Sequence, residues 1–160
     1  CAAKLRAEIT ARFWNPAEGR FEMAVRDGGF AREPASELVQ SLAILADAVP
    51  PVARTALAEK LSRPSDWTET TLSQSLHKYA ALRKAGGECA RRAMESMDRT
   101  WSAMLDAGAT SFWEMKEGWP AFAGAGSLCH GWSAIPVYFY GLEMSHDTEK
   151  PSTPEKEMKK

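Results

Sequence analysis

Gly108-Ala109-Thr110-Ser111-Phe112-Trp113-Glu114, followed a short loop later by Ser127-Leu128-Cys129-His130-Gly131-Trp132-Ser133, carries most of the chemistry of this chain. The segment is rich in Gly and lacks a helix-forming pattern, so it reads as loop. It supplies a carboxylate (Glu114), an imidazole (His130) and the rings of Phe112, Trp113, Trp119 and Trp132. That set suits a sugar site. Aromatic faces stack on the apolar faces of pyranose rings, while carboxylate and imidazole hydrogen-bond hydroxyls or activate water.

Outward from this segment the chain reads as helix. Immediately upstream, Cys89, Ala93, Met97, Trp101 and Leu105 recur every four residues, which predicts a helix over about 88–105 with Gly108 as its left-handed cap. Downstream, Trp132 to Met144 predicts a deeply buried apolar helix with Pro136 in its first turn. Toward the N-terminus, Leu72, Leu76 and Tyr79 mark a helix closed by Gly86-Gly87, with Thr71 and Gln74 at capping-box spacing. A helix over about 35–48 places Leu38, Leu42 and Leu45 on one face. Pro50-Pro51 stops it, and a third helix through Ala53, Leu57 and Leu61 turns back as a hairpin. Leu5, Ile9 and Phe13 define the first helix, which ends at Asn15-Pro16. Between these two, Arg20 to Val25 and Asp27-Gly28-Gly29 predict a small β hairpin or extended loop near residues 20–30. The expected fold is all-α, with about six helices joined as successive hairpins.

The chain has 160 residues with 44% hydrophobic content, enough for one domain with its own core. Lys and Arg number 20 against 21 Asp and Glu, so no global field favours nucleic acid, and no apolar run is long enough to span a bilayer. Cys1, Cys89 and Cys129 lack metal-ligand spacing and read as free thiols. No second His or carboxylate stands at helical spacing from His130, so neither metal nor cofactor is expected. The chain opens on Cys1 rather than Met, from which a truncated chain is expected. From Ser145 onward the composition turns to His, Asp, Thr, Glu, Lys and Pro, so residues 145–160 are expected to form a charged, disordered tail after a domain over 1–144.

The paired motifs Ala109-Thr110-Ser111-Phe112-Trp113-Glu114 and Ser127 to Ser133 resemble the C-terminal motifs of bacterial and fungal α-L-rhamnosidases. Phe13-Trp14-Asn15 through Gly19 and Phe21, the 36–48 helix with Glu37 and Gln40, and Met104 to Gly108 are similar too, so the resemblance runs over roughly residues 2–144. It implies part of a six-hairpin (α/α)6 toroid. Because such a toroid needs about twice as many helices as this chain supplies, the chain is expected to be its C-terminal half. Helices whose inner stripes normally meet further hairpins then expose apolar surface, and self-association through it is expected.

The resemblance implies inverting hydrolysis of a terminal rhamnosyl or related bond, with Glu114 as general base and the general acid upstream of this chain. It places His130 at the substrate pocket, against the alternative of a capping or core histidine. Trp113, Trp132 and Trp119 are candidate stacking platforms, or else packing residues with an N–H to satisfy. Trp101 and Trp14 read as core. Asp66 and Glu69 lie in a loop that faces the pocket in hairpin toroids, or serve as acids at a helix start. Glu37 and Gln40 could line the toroid interior. Two other readings stay open: a non-catalytic carbohydrate-binding module, and a helical interaction module whose aromatic segment only packs.

Overall fold

The structure is a computed structural model that describes residues 1–31 and 33–148. Helix α1 (Ala2–Phe13) leads into two antiparallel hairpins, β1 (Trp14–Asn15) with β2 (Arg20–Phe21) and β3 (Val25–Arg26) with β4 (Gly29–Phe30). There follow α2 (Glu37–Leu45), a 3-10 turn at Pro51–Ala53, α3 (Arg54–Leu61), α4 (Ser75–Ala85) and α5 (Gly87–Asp106). A single turn α6 (Ala121–Gly124) and a 3-10 turn at Gly131–Ser133 precede α7 (Ile135–Thr148). The fold is thus all-α apart from the two hairpins near residue 20. Residues 149–160, most of the expected tail, lie outside the described residues, and α7 itself runs on past Ser145 to Thr148.

The core lies where α2 packs on α4 and α4 on α5, with α3 against both α2 and α4. Leu57, Leu61, Leu82, Met97 and Phe139 are fully buried there. Each such side chain contributes about 1.5–3 kcal/mol by leaving water. The hairpin turn of α2 and α3 follows from the prolines, since Pro50 cannot extend α2 and Pro51 is tolerated in a first turn. Helix α5 ends as its glycine requires. Gly108 has φ +87°, its N–H donates to the Leu105 carbonyl at 2.9 Å, and the Ala109 N–H donates to Met104 at 2.9 Å. This is a Schellman closure, which delivers the chain into the loop that follows.

Five expectations need correction. The buried face of α2 is Glu37, Gln40, Ser41, Ala43 and Ile44, while Leu42 is exposed. Those polar groups are buried because each has a partner. Gln40 reads the backbone of Phe21 like an added strand, accepting from its N–H and donating to its carbonyl, both at 2.8 Å. On α5, Leu105 is exposed and Met104 takes its place in the core, because a four-residue step overshoots a 3.6-residue turn and the stripe drifts off the buried face. Thr71 and Gln74 form a turn, not a capping box, and α4 starts at Ser75. In α1 no residue is buried, and Leu5 is exposed. Helix α7 is not deeply buried either. Ile135 and Phe139 reach the core, whereas Val137, Tyr138 and Met144 are exposed.

Candidate functional site

The loop after α5 is built by backbone pairing rather than by a hydrophobic stripe. The His130 N–H donates to the Phe112 carbonyl at 2.6 Å, and the Glu114 N–H donates to the Ser127 carbonyl at 2.9 Å. Ser111 adds a hydroxyl bond to the Leu128 carbonyl. The Ser127 hydroxyl donates to the Cys129 carbonyl at 3.1 Å, which stiffens the second strand of the pairing. Residues 111–114 and 127–130 therefore run side by side, and the two motifs of the sequence meet in space.

Two glycines make this closure possible. At Gly118 (φ +66°) a side-chain carbon would sit 2.8 Å from the Trp113 ring, and at Gly126 it would sit 2.1 Å from the Gly118 carbonyl oxygen. Any larger residue at either place would push the loop apart.

Glu114 is half-buried. The Ser127 N–H donates to its Oε2 at 3.3 Å, and among the described residues no cation pairs with it. Such a carboxylate is fixed in direction yet keeps an oxygen for an outside donor such as water. His130 is half-buried, and its ring meets the Trp132 ring edge-on with centroids 6.3 Å apart. Trp132 is 80% exposed and Trp119 63% exposed, so both offer ring faces to solvent, while Trp113 is spent in packing over Gly118.

The remaining candidates behave differently. Glu37 is buried and saturated, pairing with the Lys78 ammonium through Oε1 and accepting from the Thr70 N–H through Oε2 at 3.1 Å. Together with the bridge between Ser36 and Thr68 it pins the 66–70 loop to α2. Glu69 pairs with Lys116 at 2.9 Å, and that hydrogen bond and charge hold its carboxyl below the usual range. This pair ties the 66–70 loop to the loop of Glu114. Asp66 is exposed and forms no ion pair among the described residues. Trp101 is core, as expected, and donates to the Ser133 carbonyl at 3.1 Å. Trp14 is half-buried and meets Phe21 edge-on.

Glu37 and Glu69, with Met115 and Lys116, border a polar cavity of about 360 Å³ between α4, α5 and the 62–72 loop. Its cationic lining was not legible in the sequence, where Arg91-Arg92 reads as a solvated helix face. Arg91 does lie on that face, clasped by Glu88 and Glu95, but Arg92 turns into the cavity. The signal was the recurrence of Arg92, Ser96, Arg99 and Thr100, which share one side of a helix. Among the described residues no group of His, Cys, Asp and Glu gathers as metal ligands, and no helix is long and apolar enough to cross a membrane.

Comparison with solved structures bears on the scaffold that carries this loop. The chain is similar to a GH78-family rhamnosidase of Bacillus sp. GL1, with a TM-score of 0.72 and 27% identity over 87% of its length. It is also similar to a rhamnosidase from Klebsiella oxytoca, solved with rhamnose bound, with a TM-score of 0.66 and 25% identity over 87% of its length. The chain has a rhamnosidase-like fold. It spans 15% of the first of these proteins and 28% of the second. No protein-family profile matches the chain, and no curated protein matches it in sequence.

Proposed function

We propose that this chain forms the base-bearing side of a glycoside hydrolase site of the α-L-rhamnosidase kind. The observation that carries the reading is Glu114, a carboxylate fixed by the Ser127 backbone and unclaimed by any cation among the described residues, in a chain of rhamnosidase-like fold. Its oxygen takes a proton from a water as that water attacks the anomeric carbon. The glycosidic oxygen leaves with a proton from a second carboxyl group, and configuration inverts. Inversion of this kind needs the two carboxyl groups about 6.5–9.5 Å apart to admit the water.

Neither of the two acids that line the adjoining cavity suits the role of donor. A general acid needs a raised pKa, and Lys116 lowers that of Glu69. Both oxygens of Glu37 are occupied. The donor is assigned to a carboxyl outside this chain because the resemblance implies it. His130 and the Trp132 ring, side by side, hold the sugar: the imidazole hydrogen-bonds a hydroxyl and the indole stacks on the ring face.

The test is the stereochemistry of turnover. The polypeptide translated from the complete reading frame is given an aryl α-L-rhamnoside and followed by proton NMR, with the β anomer of free rhamnose expected to form first. A first-formed α anomer contradicts the assignment of Glu114 as base to an attacking water. Saturable rhamnose binding without turnover assigns the chain instead to a carbohydrate-binding module.

A further inference from the structure

The cavity between α4 and α5 is lined by more positive charge than it neutralises. Its two carboxylates are already taken, Glu37 by Lys78 and Glu69 by Lys116. Three guanidiniums remain on its walls. Arg92 is shared between Glu88 at 3.0 Å and the Ser62 hydroxyl at 3.3 Å, whereas Arg63 and Arg99 have no carboxylate partner among the described residues.

The rest of the lining is hydroxyl-rich. Ser62, Ser65, Thr71 and Ser75 come from the loop and α4, and Ser96 and Thr100 stand on α5 beside Arg92 and Arg99. On the floor, burial pushes the Tyr79 hydroxyl above its ordinary pKa, opposed by the Ser96 and Thr100 hydroxyls and by the charge of Arg99. Arg99 is exposed, so its guanidinium meets both the cavity and solvent. Unpaired guanidiniums over a field of hydroxyls match a ligand with an oxyanion and several hydroxyl groups. Met115 and Lys116, next after Glu114 in the chain, form part of the rim, so the cavity adjoins the loop that carries the proposed base.

We propose that this cavity receives an anionic sugar unit, one bearing a carboxylate or a sulfate ester, belonging to the same saccharide that is cleaved at Glu114. The link to cleavage rests on the function proposed above; the binding itself does not. Arg99 and Arg63 fork onto the oxyanion and the serine and threonine hydroxyls bind the ring hydroxyls. A neutral sugar leaves both guanidiniums unpaired and binds weakly.

The test is calorimetric titration of the polypeptide translated from the complete reading frame with D-glucuronate, D-glucose 6-sulfate, D-glucose and inorganic sulfate. The charged sugars should bind at least about tenfold more tightly than glucose, as expected for charge-assisted hydrogen bonds. The tighter of the two names the oxyanion. Arg99→Gln and Arg63→Gln should each weaken that binding about tenfold with unchanged circular dichroism, and Arg99→Lys should restore part of it. Equal affinity for glucose, inorganic sulfate as good a ligand as either sugar, or indifference to both arginine variants overturns the proposal. Glu114→Gln should leave this binding unchanged. Anionic-sugar binding with full hydrolysis by that variant removes the base and spares the cavity. Lost hydrolysis without anionic-sugar binding does the reverse.

Discussion

Glu37 and Glu114 are carboxylates held in opposite ways. The first is 4% exposed, with one oxygen on the Lys78 ammonium and the other on the Thr70 N–H, so each oxygen already has a partner within the fold. The second is half-buried, aimed by one backbone N–H of Ser127 and otherwise open. Position in the fold accounts for the difference. Glu37 stands on a helix between a loop and α4, where an unpaired charge would be costly. Glu114 stands in a loop whose own backbone pairing holds it, so no counter-ion is needed. Under the proposed function, the paired carboxylate maintains structure and the unpaired one serves chemistry.

Substitutions can break this contrast, beginning with the largest effect. Glu37→Gln should lower unfolding free energy by about 3 kcal/mol in urea titrations, since it strands the largely buried Lys78. A loss no greater than that of an exposed-site control would mean that Glu37 is dispensable. Gln40→Leu should cost about 2 kcal/mol, because the N–H and carbonyl of buried Phe21 lose their partner. On the loop side, Trp132→Ala should change stability by less than about 0.5 kcal/mol yet remove most of the tryptophan-fluorescence quench that the proposed stacking predicts on adding rhamnose. A quench of unchanged size would move the stacking platform elsewhere.

The smallest effect lies outside both regions. The hydrogen bond to Asp98, with some burial, pushes Tyr140 up to about 12. The fold thus favours the neutral phenol, and that stabilisation is complete below pH 10 and lost as pH climbs toward 12. Tyr140→Phe should flatten this alkaline limb of the melting profile. An unchanged limb would assign the loss to other groups.

Much of the helical part was legible because its causes are local. Pro50-Pro51 cannot continue a helix that precedes them, Gly86 and Gly108 cap one, and Cys89, Ala93, Met97 and Trp101 lie on one side of α5. The interior of α2 was not legible, since Gln40 and Glu37 are buried only by virtue of Phe21, Thr70 and Lys78, which lie far away in sequence. The outward apolar face of α7 reads as buried for a related reason: hydrophobic residues report that burial is favourable, not that a partner surface is present. At the site, the two motifs were legible as composition, but the alignment of residues 111–114 with 127–130 depends on backbone bonds that no residue type announces. Arg92 and Arg99 were hidden among ordinary helix-surface charges.

The central claim, that Glu114 is the open, reactive carboxylate, is tested most directly by hydrolysis of an aryl rhamnoside by the Glu114→Gln form of the full reading-frame polypeptide. The account predicts a fall of about a thousandfold with unchanged thermal melting, as for loss of a general base. Undiminished hydrolysis by a folded Glu114→Gln protein would contradict it.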